Sequence, residues 1–72
     1  MAYNISYEPE ADVLTIWISK EGKINDAEIV GDIVLHWDKN GNPIMIEFLN
    51  ATKIIPKMVE ALAKQREEIT VY

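Results

Sequence analysis

The sequence predicts a small α+β fold, in which an antiparallel sheet is followed by one C-terminal helix. Residues 3–50 contain apolar and β-branched segments separated by turn residues, whereas the segment after Pro56 carries apolar residues at helical spacing. The chain has 72 residues and shows neither a linker nor an internal repeat, so residues 1–72 are expected to form one domain. We expect a four-stranded β-meander over residues 3–50 with the helix packed on one face.

The first two strands are separated by a turn that contains Pro9. Tyr3, Ile5 and Tyr7 alternate with polar residues, which is the period of a half-buried strand. Pro9 has no backbone N–H and interrupts strand pairing, so the residues around it are predicted to form a turn. Residues 13–18 are rich in β-branched and aromatic side chains and are predicted to form the second strand.

The third and fourth strands are predicted to form a hairpin. The third runs from residue 28 to residue 37, with a distortion at Gly31 and Asp32, because a glycine within a strand often marks a bulge. Residues 38–41, Asp-Lys-Asn-Gly, form a tight turn, and residues 44–49 form the fourth strand.

Strict alternation of side chains then assigns each residue to a face of the sheet. Pairing Leu35 with Ile44 places Ile33 opposite Ile46. The first face is predicted to be the core and carries Ile33, Leu35, Trp37, Ile44, Ile46 and Phe48, extended by Leu14, Ile16 and Ile18. The second face carries Val13, Trp17, Val34, Met45 and Leu49, mixed with Thr15, His36 and Glu47.

The C-terminal segment is predicted to be helical over residues 52–68. Asn50 or Thr52 caps its first turn, and Pro56 suits the first position of the main helix. One apolar stripe follows from the helical spacing of Ile55, Met58, Val59 and Leu62. Residues 69–72 are expected to be a short last strand or an exposed tail.

The second face is too apolar for a sheet surface that faces water. A second copy of the chain would cover it and enlarge a small core, so we expect a homodimer. Two alternatives remain open: the tail folds back over this face, or scattered exposed apolar residues need no cover. The candidate binding residues, in an interface or a pocket, are Trp17, Val34, His36, Met45, Glu47 and Leu49.

Composition restricts the function. The net charge of −5 disfavours nucleic-acid binding and suits a basic protein partner. The chain has no cysteine and one histidine, which excludes a thiolate or multi-histidine metal site within one chain. No cofactor motif is present. The sequence shows neither a signal peptide nor an apolar run of about 20 residues, so we expect a cytoplasmic protein with no membrane partner.

Three groups of polar residues are candidate sites. His36 and Glu47 share the second face and could form an acid–base pair beside Trp17, although a structural contact is the simpler interpretation. Glu8, Glu10 and Asp12 are interpreted as a solvated turn, with Asp12 bonding to backbone amides. Asp38, Asn40 and Asn42 resemble the start of a calcium loop, but its later positions are occupied by Pro43 and Leu49.

Three motifs together resemble a family of short prokaryotic proteins catalogued as a domain of unknown function. The first motif matches at Tyr7, Glu8 or Glu10, Ala11, Asp12, Leu14 and Ile16, with Thr15 where an aromatic residue is usual in the family. The second motif is a turn and matches at Asp38 and Gly41. The third motif matches at Ile46, Glu47, Leu49, Asn50 and Ala51. The resemblance covers residues 3–53. It implies an antiparallel sheet followed by a helix, and brings no established activity, cofactor or catalytic residue.

These observations favour a small noncatalytic protein-interaction domain that acts as a homodimer. A specific version is an acidic, antitoxin-like partner of a basic protein. The alternative is a small-molecule binding protein or an enzyme that uses His36, Glu47 and Trp17, which requires a concave pocket.

Overall fold

The structure, a computed structural model, describes the backbone of residues 4–71 and the side chains of residues 4–65. These residues form an antiparallel sheet and one C-terminal helix, which confirms the α+β class. The elements in chain order are β1 (Asn4–Glu8), β2 (Val13–Trp17), β3 (Asp26–Val30), β4 (Ile33–Trp37), β5 (Pro43–Leu49) and α1 (Ala51–Val71).

The sheet has five strands within the described residues, so the prediction of four was wrong. The segment predicted as one distorted strand is a hairpin of β3 and β4, in which Val30 pairs with Ile33. Gly31 and Asp32 are the two turn residues between them, and Gly31 has a φ of 58°. Glycine at the first central position is the mark of a type II′ hairpin turn, whose twist matches that of the flanking strands. The glycine therefore reverses the chain instead of bulging it.

The strand order β1-β2-β5-β4-β3 also differs from a meander. After β2 the chain crosses to the opposite edge of the sheet through residues 18–25, and β5 later returns to the centre. Three strand spacings of about 4.8 Å separate β2 from β3, a distance that eight residues span easily at about 3.3 Å each. The central place suits β5, because its sequence Pro-Ile-Met-Ile-Glu-Phe-Leu is strongly apolar.

The register of β4 and β5 is shifted by two residues from the predicted one. Leu35 pairs with Ile46, and Ile33 pairs with Phe48. An even shift leaves every side chain on its predicted face. A bulge at the start of β5 leaves Ile44 without a partner in β4, since His36 pairs with Met45 and Trp37 with Pro43. The carbonyl of Ile44 instead accepts hydrogen bonds from the amides of residues 18 and 19, at 2.8 and 3.2 Å.

The helix begins at Ala51, and its backbone is helical to Val71. The predicted strand or tail at residues 69–71 is therefore helical in the backbone, because neither Gly nor Pro follows Pro56 to end the helix. Residue 72 and the side chains of residues 66–72 lie outside the described part. Pro56 stands inside the helix and not at its first position. It removes the N–H that would bond to Thr52, whose exposed position leaves that carbonyl open to water.

The core of the described part is small. The buried hydrophobic side chains are Ile44, Met45, Phe48 and Ala51, while every residue of β1 and β3 is exposed. The helix meets the sheet chiefly at β5. Val59 and Leu62, half of the predicted apolar stripe, are 59% and 61% exposed. The helix therefore packs on the sheet through its first turns, and the later part of the apolar stripe is exposed.

Candidate functional site

The structure brings all six candidate residues together on the second face. Trp17 and His36 both pair with Met45, so these three side chains form one row across β2, β5 and β4. Glu47 pairs with Val34 on one side and with Thr15 on the other, which gives a parallel row. Leu49 pairs with Val13 at the far end of the same face. Met45 is buried and the other five candidates are partly exposed.

His36 and Glu47 are in direct contact, as their diagonal positions on β4 and β5 allow. The Nε2 atom of His36 lies 2.7 Å from Oε1 of Glu47, and the side chains are 16% and 31% exposed. The Nδ1 atom of His36 is buried and has no hydrogen-bond partner among the described residues. When Nε2–H donates to Glu47, a neutral ring leaves Nδ1 as an unpaired acceptor.

The contact can orient an imidazole and hold a proton, but the described residues of the second face form neither a cavity nor a cluster of metal ligands around it. Three cavities of about 300, 340 and 480 Å³ are lined by other residues, in the loops and at the helix start. The described residues contain no group of three or more His, Cys, Asp or Glu side chains placed to hold a metal ion. The geometry around His36 is that of a half-buried contact on a sheet surface.

Asp12 has a structural role larger than its sequence context suggested. Its Oδ1 accepts a hydrogen bond from the Tyr7 hydroxyl at 2.7 Å, and its Oδ2 accepts one from the Thr52 hydroxyl at 2.7 Å. The Thr52 amide donates to the same carboxylate at 3.1 Å, and the Ala51 amide donates to the Asp12 carbonyl at 3.0 Å. Asp12 therefore caps the helix, in place of the predicted cap at Asn50 or Thr52.

These contacts change the acidity of both partners. Hydrogen bonds from Thr52 and then Tyr7 hold the pKa of Asp12 below its ordinary value. The same bond to Asp12 raises the pKa of the Tyr7 hydroxyl. Glu8 and Glu10 lie at the surface of the turn, where a Glu8 carboxylate oxygen accepts from the Glu10 amide at 3.1 Å. The acidic cluster is thus a hairpin turn joined to a helix cap.

Asp38 closes its own turn and is not arranged as a cation ligand. Its Oδ1 accepts from the amides of Asn40 and Asn42, each at 2.8 Å, and its Oδ2 accepts from the Asn42 side chain at 3.1 Å. These bonds, with the Asn42 amide first, lower the pKa of Asp38. Gly41 has a φ of 84°, which the turn requires. The comparison with a calcium loop therefore fails in structure as it did in sequence.

A group of exposed apolar side chains lies beside the helix, where the sequence did not predict a site. Ile5 and Tyr7 of β1 are 63% and 45% exposed on the first face, and the helix adds the exposed side chains of Val59 and Leu62. An apolar groove of about 340 Å³ connects β1 and β2 with the first turns of the helix, including Ile55. We call Ile5, Tyr7, Ile55, Val59 and Leu62 the helix-side surface. The sequence showed the stripe, but not how little of it the sheet covers.

Comparison with known proteins identifies the family and leaves the activity open. A family model described as "Protein of unknown function (DUF2283)" matches residues 4–51, which comprise the whole sheet and the first residue of the helix. No curated protein and no solved structure matches the chain. Within the described residues, no helix is long and apolar enough to span a membrane. The match confirms the resemblance indicated by the three motifs, and the chain belongs to the DUF2283 family of proteins of unknown function.

Proposed function

We propose that this chain is a small noncatalytic protein-interaction domain that acts as a homodimer. The observation that carries the proposal is the exposure of Ile5, Val59 and Leu62, three apolar side chains that the sheet and the helix leave largely in water. Exposed apolar patches of this kind mark interaction surfaces, because covering them is favourable.

The helix-side surface is the proposed interface. Its side chains Ile5, Val59 and Leu62 are each about six-tenths exposed, and the groove beside Ile55 extends the apolar area toward the sheet. A second copy presents the same surface, and a two-fold axis brings two such patches together. Association then removes from water the part of the stripe that the sheet leaves uncovered, and the hydrophobic effect favours that removal.

The second face is the competing location for the interface. Trp17, Val34 and Leu49 are only partly exposed there, since neighbouring side chains in the sheet shield one another. Ile29 at the edge of this face is 73% exposed, whereas the helix-side surface groups several strongly exposed apolar side chains, and we therefore prefer the helix-side surface. The alternative in which the tail covers the second face concerns side chains outside the described part.

The acidic charge supports a role as partner of a basic protein, in the manner of an antitoxin. The chain has 12 acidic and 7 basic residues, and complementary charge accelerates and orients association. We propose that this role is exercised in a prokaryotic cytoplasm, where a chain without cysteine is suited to the reducing conditions.

The His36–Glu47 contact supports a second candidate function, in small-molecule binding. The 2.7 Å contact fixes a half-buried imidazole on the second face, in the same row as Met45 and Trp17. A ligand would have to approach this row from the exposed side of the sheet. Chemical-shift changes at His36 during a small-molecule screen support this function, and a screen without them removes it.

The dimer proposal is tested by the dependence of thermal unfolding on protein concentration. The midpoint of an obligate dimer rises with concentration, whereas that of a monomer does not. We expect the wild type to show the rise, and Leu62→Glu to abolish it by placing a charge in the interface. Ala61→Glu is the matched control, because Ala61 is exposed on the same helix away from the stripe.

A third variant distinguishes the two candidate interfaces. Trp17→Glu should leave the concentration dependence intact if the helix-side surface forms the dimer. Loss of the dependence in Trp17→Glu together with its retention in Leu62→Glu would move the interface to the second face. A wild-type midpoint that does not change with concentration would contradict the dimer.

A further inference from the structure

Strand β3 is an uncovered edge of the sheet. All five of its residues are exposed, and Ile29 and Val30 are 73% and 55% exposed. Because β3 pairs only with β4 in the strand order, one side of its backbone has no partner in the sheet. Such an edge is a ready template for another extended segment.

The hairpin geometry indicates which backbone groups face outward. Val30 flanks the two-residue turn and pairs with Ile33, so its N–H and C=O point toward β4. Alternation along the strand then turns the N–H and C=O of Ala27 and Ile29 outward. The hydrogen bond from the Ala27 amide to Oδ1 of Asp26, at 2.9 Å, agrees with this, since that amide is bonded outside the ladder. The Ile29 amide and two carbonyls remain for a partner.

The side chains of β3 disfavour pairing with a second β3. In the antiparallel register that uses the whole strand, Glu28 lies opposite the Glu28 of a second copy. Like charges directly opposite one another destabilise a strand pair. Asp26 and Glu28 point to the same face, since they pair with Trp37 and Leu35 of β4. The edge therefore repels itself and attracts a strand with basic residues at alternate positions.

We propose that β3 binds an extended segment of a partner protein by strand addition, with Lys or Arg opposite Asp26 and Glu28 and an apolar residue beside Ile29. Main-chain hydrogen bonds to Ala27 and Ile29 provide the affinity of such an addition, and the alternate side chains provide its selectivity. The cleft that precedes the strand is lined by two lysines, Lys23 and Lys39, and by two acidic residues, Glu21 and Asp38. The inference rests on the proposed function as partner of a basic protein and identifies the surface that such a partner uses.

The test is an NMR titration of the full chain with a synthetic peptide, acetyl-Thr-Val-Lys-Val-Lys-Thr-amide. We expect saturable shifts concentrated in the backbone amides of residues 26–30. A peptide with Glu in place of both Lys should bind at least about fivefold more weakly, since a cross-strand ion pair and a like-charge pair differ by that order. Shifts spread over all acidic side chains, shifts at β1, or no shifts would overturn the proposal.

Two controls separate strand addition from simple charge attraction. Glu28→Lys should weaken binding of the lysine peptide, but by less than the change to the acidic peptide does, because it alters one cross-strand pair and not two. Glu8→Lys, the same charge change on the other edge strand, should leave binding unchanged. A peptide N-methylated at its two valines cannot donate those backbone hydrogen bonds and should lose binding. Undiminished binding of the methylated peptide would contradict strand addition.

The proposal of strand addition and the proposal of a homodimer can be refuted independently of each other. Glu28→Lys lies outside the helix-side surface and should keep the concentration dependence of unfolding. A monomeric chain that binds the peptide at β3 would refute the homodimer and support strand addition. A dimer that does not bind the peptide would support the homodimer and refute strand addition.

Discussion

The carboxylate of Asp12 accepts hydrogen bonds from both the amide and the hydroxyl of Thr52, forty positions along the chain. Asp12 lies in the turn between β1 and β2 with a φ of 56°, and Thr52 is the second residue of the helix. A helix cap is usually supplied by the residue just before the helix. Here the first hairpin supplies it, so the start of the helix and the edge of the sheet are held together by one side chain.

Replacement of Asp12 by Asn should lower stability and reduce its dependence on pH. Asn tolerates a positive φ about as well as Asp, so the backbone is unaffected while one acceptor oxygen and the charge are lost. The folded pKa of Asp12 is depressed, so its stabilising effect is complete above the unfolded value near 4 and is lost as pH falls through the folded pKa. Urea unfolding from pH 7 to pH 2 measures both effects.

The difference in stability between wild type and Asp12→Asn should therefore be largest at neutral pH and should shrink as the pH falls. Asp38 also has a depressed pKa, so the variant keeps part of the acid sensitivity. A difference that stays constant over the whole pH range would show that the charge of Asp12 has no part in the cap.

The contacts of Glu47 with His36 and of Glu60 with Lys64 should differ strongly in their contribution to stability. Glu47→Ala leaves the half-buried Nε2 of His36 without its acceptor, and an unsatisfied buried group costs about 1–3 kcal/mol. Glu60→Ala removes a 3.7 Å pair with Lys64 on the exposed helix surface, where the loss is below about 0.5 kcal/mol. Denaturant unfolding of both variants gives the comparison.

Glu47→Gln completes that experiment, because its side-chain oxygen can still accept from Nε2. It should recover most of the stability lost in Glu47→Ala. Equal losses in the Ala and Gln variants would show that the negative charge, and not the hydrogen bond, stabilises the pair.

Gly22→Ala should destabilise the fold through a clash in the crossing loop. A Cβ at residue 22 would overlap the end of the Ile44 side chain, and Ile44 is 2% exposed with little room to move. Overpacking of this kind costs about 1–3 kcal/mol. Ile44→Val removes the overlapping methyl group, so Gly22→Ala combined with Ile44→Val should cost less than the two single changes added. Additive losses in chemical unfolding would contradict the predicted clash.

Much of the sheet could be predicted because an even error in strand register leaves each side chain on the same face. The assignment of Trp17, His36 and Glu47 to one face needed only the parity of the strands, and an even slip of β5 did not alter it. The same reasoning failed at Gly31, where a bulge and a two-residue turn carry the same signal of one glycine in an apolar run. Because the turn at Gly31 was taken for a bulge, the predicted sheet had one strand too few and the wrong strand order.

The helix cap and the helix-side surface were beyond local reasoning for different reasons. The bond between Asp12 and Thr52 depends on β1 and β2 lying next to the start of the helix, which no short-range pattern encodes. The exposure of Val59 and Leu62 depends on the angle at which the helix leaves β5. Helical spacing identifies an apolar stripe, but not whether the same chain or another one covers it.

The mass of the wild-type protein in solution tests the central claim most directly. Sedimentation equilibrium over a hundredfold range of concentration should give twice the 8.2 kDa of the chain at the upper end, with dissociation on dilution. A mass of one chain at every concentration would contradict the homodimer, and the helix-side surface would then require another occupant.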